Sequence, residues 1–192
     1  MRTHIIVLLS SALLLQGCVG VLFAGAGTGI ASVTDRRAVS TQVSDQAIDI
    51  RATHRLSTNK QLWEQSRIVV ITTNGKSLLV GQTPTQAASQ QAEEIVKSVP
   101  GVTEVFNELR IMAPLDMTAR SQDSWITSKV KSTLLAEKNI DGTKVKVVTE
   151  NSEVFLIGLV TQREADISVQ LARNISGVKR VITVFEFIQA AP

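Results

Sequence analysis

Among its 192 residues the chain has a single cysteine, Cys18, and two histidines, His4 and His54. One cysteine excludes a disulfide framework and a cysteine metal cluster. Catalytic dyads and zinc sites are built mostly from His and Cys, so this chain is not expected to be an enzyme of those kinds or to hold a metal or other cofactor. Charge is absent from a long N-terminal stretch: no charged residue lies between Ile5 and Thr34. Over the whole chain the formal net charge is only +3, with Arg2 contributing one of those charges at the N-terminus. So balanced a chain is not a general nucleic-acid binder, and an electrostatic partner must be met by a local patch.

Met1-Arg2-Thr3-His4 is a short basic start. The run Ile5 to Leu15 has the length of a signal-peptide apolar core and is short for a membrane span. It ends in Leu15-Gln16-Gly17-Cys18, which resembles the lipobox of bacterial lipoproteins: an aliphatic residue at −3, a small residue at −1, then cysteine. The resemblance implies cleavage before Cys18, diacylglycerol on its sulfur and acylation of the freed amine, with residues 1–17 as the leader. The alternative is one long signal anchor from Ile5 to Val33. Against it, Gly17, Gly20, Gly25, Gly27 and Gly29 each weaken an isolated helix by about 1 kcal/mol relative to alanine. Val19 follows the cysteine, where an aspartate would resemble an inner-membrane retention signal. The expected location is therefore the outer membrane, lipid-anchored and facing the periplasm. Residues 18–40, rich in Gly, Ala, Ser and Thr, read as a lipidated tether. Within them Gly25-Ala26-Gly27-Thr28-Gly29 lacks both the preceding strand and the spacing of a dinucleotide-binding turn.

The remainder repeats itself. Ile68, Val70 and Thr72 alternate as Val145, Val147 and Thr149 do, the period-two pattern of a half-buried strand. Asn74-Gly75 then marks a hairpin, with Asn151-Ser152 in the same place of the second copy. The runs Ser77-Leu78-Leu79-Val80-Gly81 and Val154-Phe155-Leu156-Ile157-Gly158 follow, each glycine expected at a bend from strand to helix. Helices are predicted over Thr85 to Ser98, with Ala88, Ala92, Ile95 and Val96 as one stripe, and over Gln162 to Asn174. Both stop at glycine, in Val99-Pro100-Gly101-Val102 and Ile175-Ser176-Gly177-Val178. Last strands follow over Glu104 to Ile111 and Arg180 to Ile188, and another helix precedes each hairpin, Asp45 to Leu56 and Asp123 to Leu135. Each copy is thus helix, strand, strand, helix, strand. The expected fold class is α+β: two tandem αββαβ domains, each a three-stranded sheet packed by two helices, following the lipidated tether.

This order, the hairpin followed by glycine and the Gly-Val turn before the last strand resemble the BON domain of bacterial envelope proteins. A lipobox followed by two such repeats is similar to a family of dual-BON outer-membrane lipoproteins associated with division sites and phospholipid binding. Asp123-Ser124-Trp125-Ile126-Thr127-Ser128-Lys129-Val130 and Thr149-Glu150-Asn151-Ser152-Glu153-Val154-Phe155-Leu156 carry that similarity most strongly. Ser152 departs from it by replacing the usual turn glycine, and Thr183 stands where the first copy has Asn107. The domains expected are residues 41–112 and 121–189, joined through 113–120, where Pro114 lies.

What the two copies share is best explained by folding, so function is sought where they differ. On an ideal helix of about 100° per residue, Ile126, Val130 and Leu134 form the core face of copy two, as Ile48, Ala52 and Leu56 do in copy one. Trp125, Ser128, Ser132 and Leu135 fall on a separate face, flanked by Lys129 on one side and by Lys131 and Lys138 on the other. The equivalents of Trp125 and Leu135 in copy one are Ala47 and Ser57. A large aromatic and a leucine ringed by lysines suit a membrane interface with anionic lipid. Alternatively Trp125 packs against copy one or the join, and Leu135 is a second core residue. The family resemblance favours the lipid site. Three lysines at about 1 kcal/mol each and about 2 kcal/mol for a partly buried Trp give weak binding, sufficient once acyl chains on Cys18 raise the effective concentration.

Other features reduce to structure. Trp63 is expected to cover an edge of the first core, Asp45 and Asp49 to favour the dipole of a helix start, and His54 to be solvated. The expected protein is thus an outer-membrane lipoprotein, whose partners are the membrane through acylated Cys18 and anionic phospholipid, and whose role is envelope integrity. The rival is an adaptor that docks envelope assembly proteins through the same face.

Overall fold

The computed structural model describes residues 39–189. The proposed leader, Cys18 and all but the end of the tether lie outside the described residues. All described residues belong to one compact unit, residues 34–192. Their order is α1 (Val39–Thr58), α2 (Lys60–Gln65), β1 (Arg67–Thr73), β2 (Lys76–Thr83), α3 (Gln86–Lys97), β3 (Glu104–Ile111), α4 (Met117–Ala136), β4 (Val145–Glu150), β5 (Glu153–Val160), α5 (Gln162–Arg173) and β6 (Arg180–Phe187). The αββαβ order therefore occurs twice, with the extra helical turn α2 in the first copy. Each sheet has the long central strand paired antiparallel with its hairpin partner and parallel with the last strand, in the orders β1-β2-β3 and β4-β5-β6.

Local chemistry fixes these boundaries. Thr85 and Thr161 occupy equivalent N-caps, their side chains accepting from Ala88 N and Glu164 N, and Thr161 with Glu164 completes a capping box. Asn59 caps α2 and Asp116 caps α4, the latter accepting from Ala119 N at 2.8 Å. The Asp116 cap starts α4 six residues before Asp123, inside the stretch read as a join, and α1 likewise begins at Val39 rather than Asp45.

Three cores hold the unit together. Ile48, Ala52 and Leu56 of α1 and Ala92 and Val96 of α3 bury against Ile68, Val70 and Leu79. Ile126, Val130 and Leu134 of α4 and Ala165 and Ala172 of α5 do the same against Val145, Val147, Val154 and Leu156. Both helical faces match the expected stripes. The third core was not expected: Leu78 and Val80 of β2 meet Phe155 and Ile157 of β5, with Val69, Ile71, Phe106, Val148, Ile182 and Val184 packed around them. The sheets therefore stack face to face, each with its helices on the outside, and the strands that alternation suggested were half-buried are covered on both faces.

Polar contacts rim the stacked sheets. Arg67 Nε donates to Glu150 at 3.2 Å, Gln82 Nε2 to the same carboxylate at 2.9 Å, and Arg110 Nε to Glu153 at 2.8 Å. Lys146 Nζ donates to the Thr72 carbonyl at 2.9 Å. The start of β1 thus meets the end of β4, and the end of β1 meets the start of β4, so the two strands run past each other in opposite directions. Glu153 is also bonded to Arg180. Burial pushes the Glu153 carboxyl up, but the hydrogen bonds and charges of Arg110 and Arg180 outweigh it and hold it below the ordinary glutamate value.

Gly81 and Gly158 do not sit at a bend between strand and helix. They lie inside β2 and β5, paired with Ile68 and Val145. A Cβ at Gly81 would lie 2.0 Å from the Arg67 carbonyl oxygen, and one at Gly158 would lie 2.3 Å from that of Lys144. The requirement is close approach of the paired strand's backbone, and at Gly81 also a φ of 126° that side chains rarely adopt.

Candidate functional site

The candidate face lies on α4, whose inner side is fixed by Ile126, Val130 and Leu134, each 0% exposed. With that side locked into the core, the residues about 100° around the helix must point outward. Trp125 is 50% exposed and Leu135 is 61% exposed, and neither belongs to a core cluster. The alternative of Leu135 as a core residue does not match its position. Lys129 places its ammonium 5.5 Å from the centroid of the Trp125 ring, a cation–π contact that holds the indole and the charge together.

The hydroxyls on this face are turned inward to the helix. Ser128 Oγ donates to the Ser124 carbonyl and Ser132 Oγ to the Lys129 carbonyl, both at 2.9 Å. As donors they are committed, which leaves the lysines as the charged groups that this face presents. Lys131 and Lys138 are exposed and make no ion pair among the described residues. The nearby Glu137 carboxylate accepts from Asn139 N and Nδ2, and those hydrogen bonds hold it below its ordinary value. The structure thus brings Trp125, Ser128, Lys129, Ser132 and Leu135 onto the surface of one helix, with Lys138 just beyond its end. Among the described residues no group of His, Cys, Asp and Glu could hold a metal ion, and no helix is long and apolar enough to cross a membrane.

Asp45, read as a carboxylate favouring a helix start, has another role, and Asp123 has the same role in the second copy. Asp45 is 3% exposed and Asp123 is 5% exposed, so neither is a solvated residue at a helix start. Asp45 accepts from Asn74 N at 2.9 Å and Gly75 N at 3.0 Å, and Asp123 accepts from Asn151 N and Ser152 N, both at 2.8 Å. Each clamps the hairpin turn of its own copy, where Asn74, Gly75, Asn151 and Ser152 all have positive φ. The recurrence of Asp one helix before each Asn-Gly or Asn-Ser turn was the available signal. Trp63 on α2 is 38% exposed, and its neighbour Leu62, at 3%, is the residue that enters the first core. His54 is exposed, as expected.

The duplicated αββαβ architecture has a counterpart among known families. A model described as the BON domain matches twice, at residues 44–113 and 122–189. The chain belongs to the BON domain family. Its relatives include "Outer membrane lipoprotein DolP" of Haemophilus influenzae, 36% identical over 182 residues that span 95% of this chain and 94% of the relative. The "21 kDa hemolysin" of Actinobacillus pleuropneumoniae is 44% identical over 155 residues, 81% of this chain and 80% of that one. "Osmotically-inducible protein Y" of Escherichia coli is 32% identical over 106 residues, about half of each chain. The face of Trp125 belongs to the second BON copy, and its counterpart in the first is Ala47.

Proposed function

We propose that this chain is an outer-membrane lipoprotein, anchored through acylated Cys18 and facing the periplasm, whose second BON domain binds anionic phospholipid and supports envelope integrity. The relative named an outer membrane lipoprotein aligns across nearly the whole chain, including the region of Leu15-Gln16-Gly17-Cys18. A second relative is named a hemolysin. The observation that carries the lipid reading is the outer side of α4: Trp125 is 50% exposed and Leu135 61% exposed, with Lys129 stacked over the indole. In a soluble protein without a partner, two large apolar side chains held outward by a locked helix gain nothing from water. Against a bilayer, the indole and leucine reach the headgroup boundary while Lys129, Lys131 and Lys138 meet lipid phosphate. Each term is small, and the acyl anchor removes most of the entropic cost of bringing the domain to the surface.

Co-sedimentation of residues 34–192, the unit that contains all three cores, tests this reading with vesicles of graded phosphatidylglycerol content. Binding that rises with anionic fraction and falls with salt is expected. Indifference to lipid, with retained capture of envelope proteins, would favour the adaptor reading.

A further inference from the structure

The two sides of the middle core are related by the repeat but are not alike. On the α1 side, Asp49 faces Thr72, and Lys146 of the second copy reaches across to the Thr72 carbonyl at 2.9 Å. On the α4 side the equivalent positions are Thr127 for Asp49, Thr149 for Thr72 and Val69 for Lys146. Thr127 and Thr149 bond to each other at 2.8 Å. Valine is too short to cross as lysine does, and a groove of about 530 Å³ stays open, lined among others by Arg67, Val69, Met117, Arg120, Ser124 and Thr127.

Its two arginines and two carboxylates balance in number but differ in what they are committed to. Two carboxylates border the groove, and both are committed: Asp123 to the turn amides, and Glu150 to Arg67 and Gln82. The Arg120 guanidinium is exposed and has no hydrogen bond or ion pair among the described residues. Arg67 and Arg120 also border a neighbouring groove with Trp63, Pro114 and Leu115, so both stand on the ridge between two openings. The groove draws Arg67 and Val69 from the first copy and the rest from α4 and β4, so neither copy alone contains it. Met117, 69% exposed, puts an apolar side chain on the rim, which a free anion would not use. Ser124 and Ser128 line the groove and bracket Trp125 in the chain, which makes the groove continuous with the outward face of α4.

We propose that this inter-copy groove holds the phosphate-bearing headgroup of an anionic phospholipid, with Arg120 as the cation that meets the phosphate and Arg67, already paired with Glu150, beside it. The glycerol end then lies toward Met117 and the Trp125 face, where the acyl chains enter the bilayer. This inference rests on the membrane reading of α4 and adds to it the position that selects the headgroup.

The test is an amide and arginine Nε chemical-shift titration of residues 34–192 with dihexanoyl phosphatidylglycerol below its micelle concentration. Dihexanoyl phosphatidylcholine and inorganic phosphate serve as the comparisons. Shifts at Val69, Thr127 and Arg120 are expected with phosphatidylglycerol and should be much weaker with the other two. Arg120→Gln, at an exposed position, should weaken this binding about fivefold, as loss of one charge near lipid phosphate implies. Val69→Phe, which occupies the groove with a larger neutral side chain, should abolish it. Silent groove resonances, or an Arg120→Gln variant that binds like the parent, would overturn the proposal even if Val69→Phe fails to fold. Inorganic phosphate producing equal shifts would overturn the lipid assignment. Vesicle binding that needs Trp125 but is indifferent to Arg120→Gln removes the groove and leaves the α4 face. Groove shifts without vesicle binding do the reverse.

Discussion

Replacing Asp123 by Asn changes one atom of a buried side chain and should be among the more damaging single changes in the second copy. Its two carboxylate oxygens each accept a backbone N–H at 2.8 Å, from Asn151 and Ser152. Those residues hold φ of 55° and 62°, in the left-handed region that non-glycine residues disfavour by roughly 1 kcal/mol each. Hydrogen bonds to a charged group contribute about 1.5–3 kcal/mol each, and an unsatisfied buried N–H costs about 1–3 kcal/mol. Asparagine keeps one acceptor but turns an NH2 donor toward the other amide, so one bond is lost and an N–H at the buried Ser152 turn is left facing a donor. We expect a loss of about 3 kcal/mol, which for a domain of this size lowers Tm by roughly 6–12 °C. Urea and thermal unfolding of residues 34–192 measure it. Ser152→Gly should do the opposite and stabilise by about 1 kcal/mol, because glycine adopts positive φ without strain. An Asp123→Asn loss below about 1 kcal/mol would refute the clamp.

Phe155→Ala should cost about 3–5 kcal/mol, and because Phe155 is 1% exposed in the core between the sheets, hydrogen exchange should quicken in both copies together; loosening of the second copy alone would contradict a shared core. Asp49→Asn should stabilise the fold at neutral pH, because burial raises the Asp49 carboxyl above its ordinary 3.8. The folded state thus holds that proton more tightly than the unfolded one, so stability falls as pH rises from 3.8 through the raised value, and the benefit of Asn should vanish below pH 3.8. Urea unfolding at several pH values checks this, and a benefit that persists in acid would refute it. Cys18→Ala should leave a larger, unprocessed precursor that incorporates no labelled fatty acid, and normal processing of that variant would sink the lipid anchor.

Much of the fold was legible because its helices carry one apolar stripe each. Ile126, Val130 and Leu134 recur at helical spacing and are fully buried where that spacing put them. The stacking of the sheets was less visible, although its trace was present. Leu78-Leu79-Val80 and Val154-Phe155-Leu156-Ile157 have no polar alternate, as strands buried on both faces do; the upstream strands, which do alternate, drew attention to one face only. Asp45 and Asp123 could not be read from local sequence, since their partners lie 28–30 positions away. On the candidate face, the comparison of Trp125 with Ala47 needed only the repeat, whereas the groove became visible once register set Val69 opposite the role of Lys146. Helical pattern reports what a residue turns toward its own core; it is silent about side chains that reach across to the other copy.

The lipid reading stands most directly on Trp125, and flotation of residues 34–192 with phosphatidylglycerol vesicles at two ionic strengths tests it, with circular dichroism as the folding control. Trp125→Glu should abolish binding with the fold intact, because an interfacial aromatic is lost and a carboxylate is set against lipid phosphate. Ala47→Glu, at the matching place in the first copy, should leave binding unchanged. Lys131→Gln should weaken it by about 1 kcal/mol and reduce its salt sensitivity. A folded Trp125→Glu variant that floats like the parent would contradict the account.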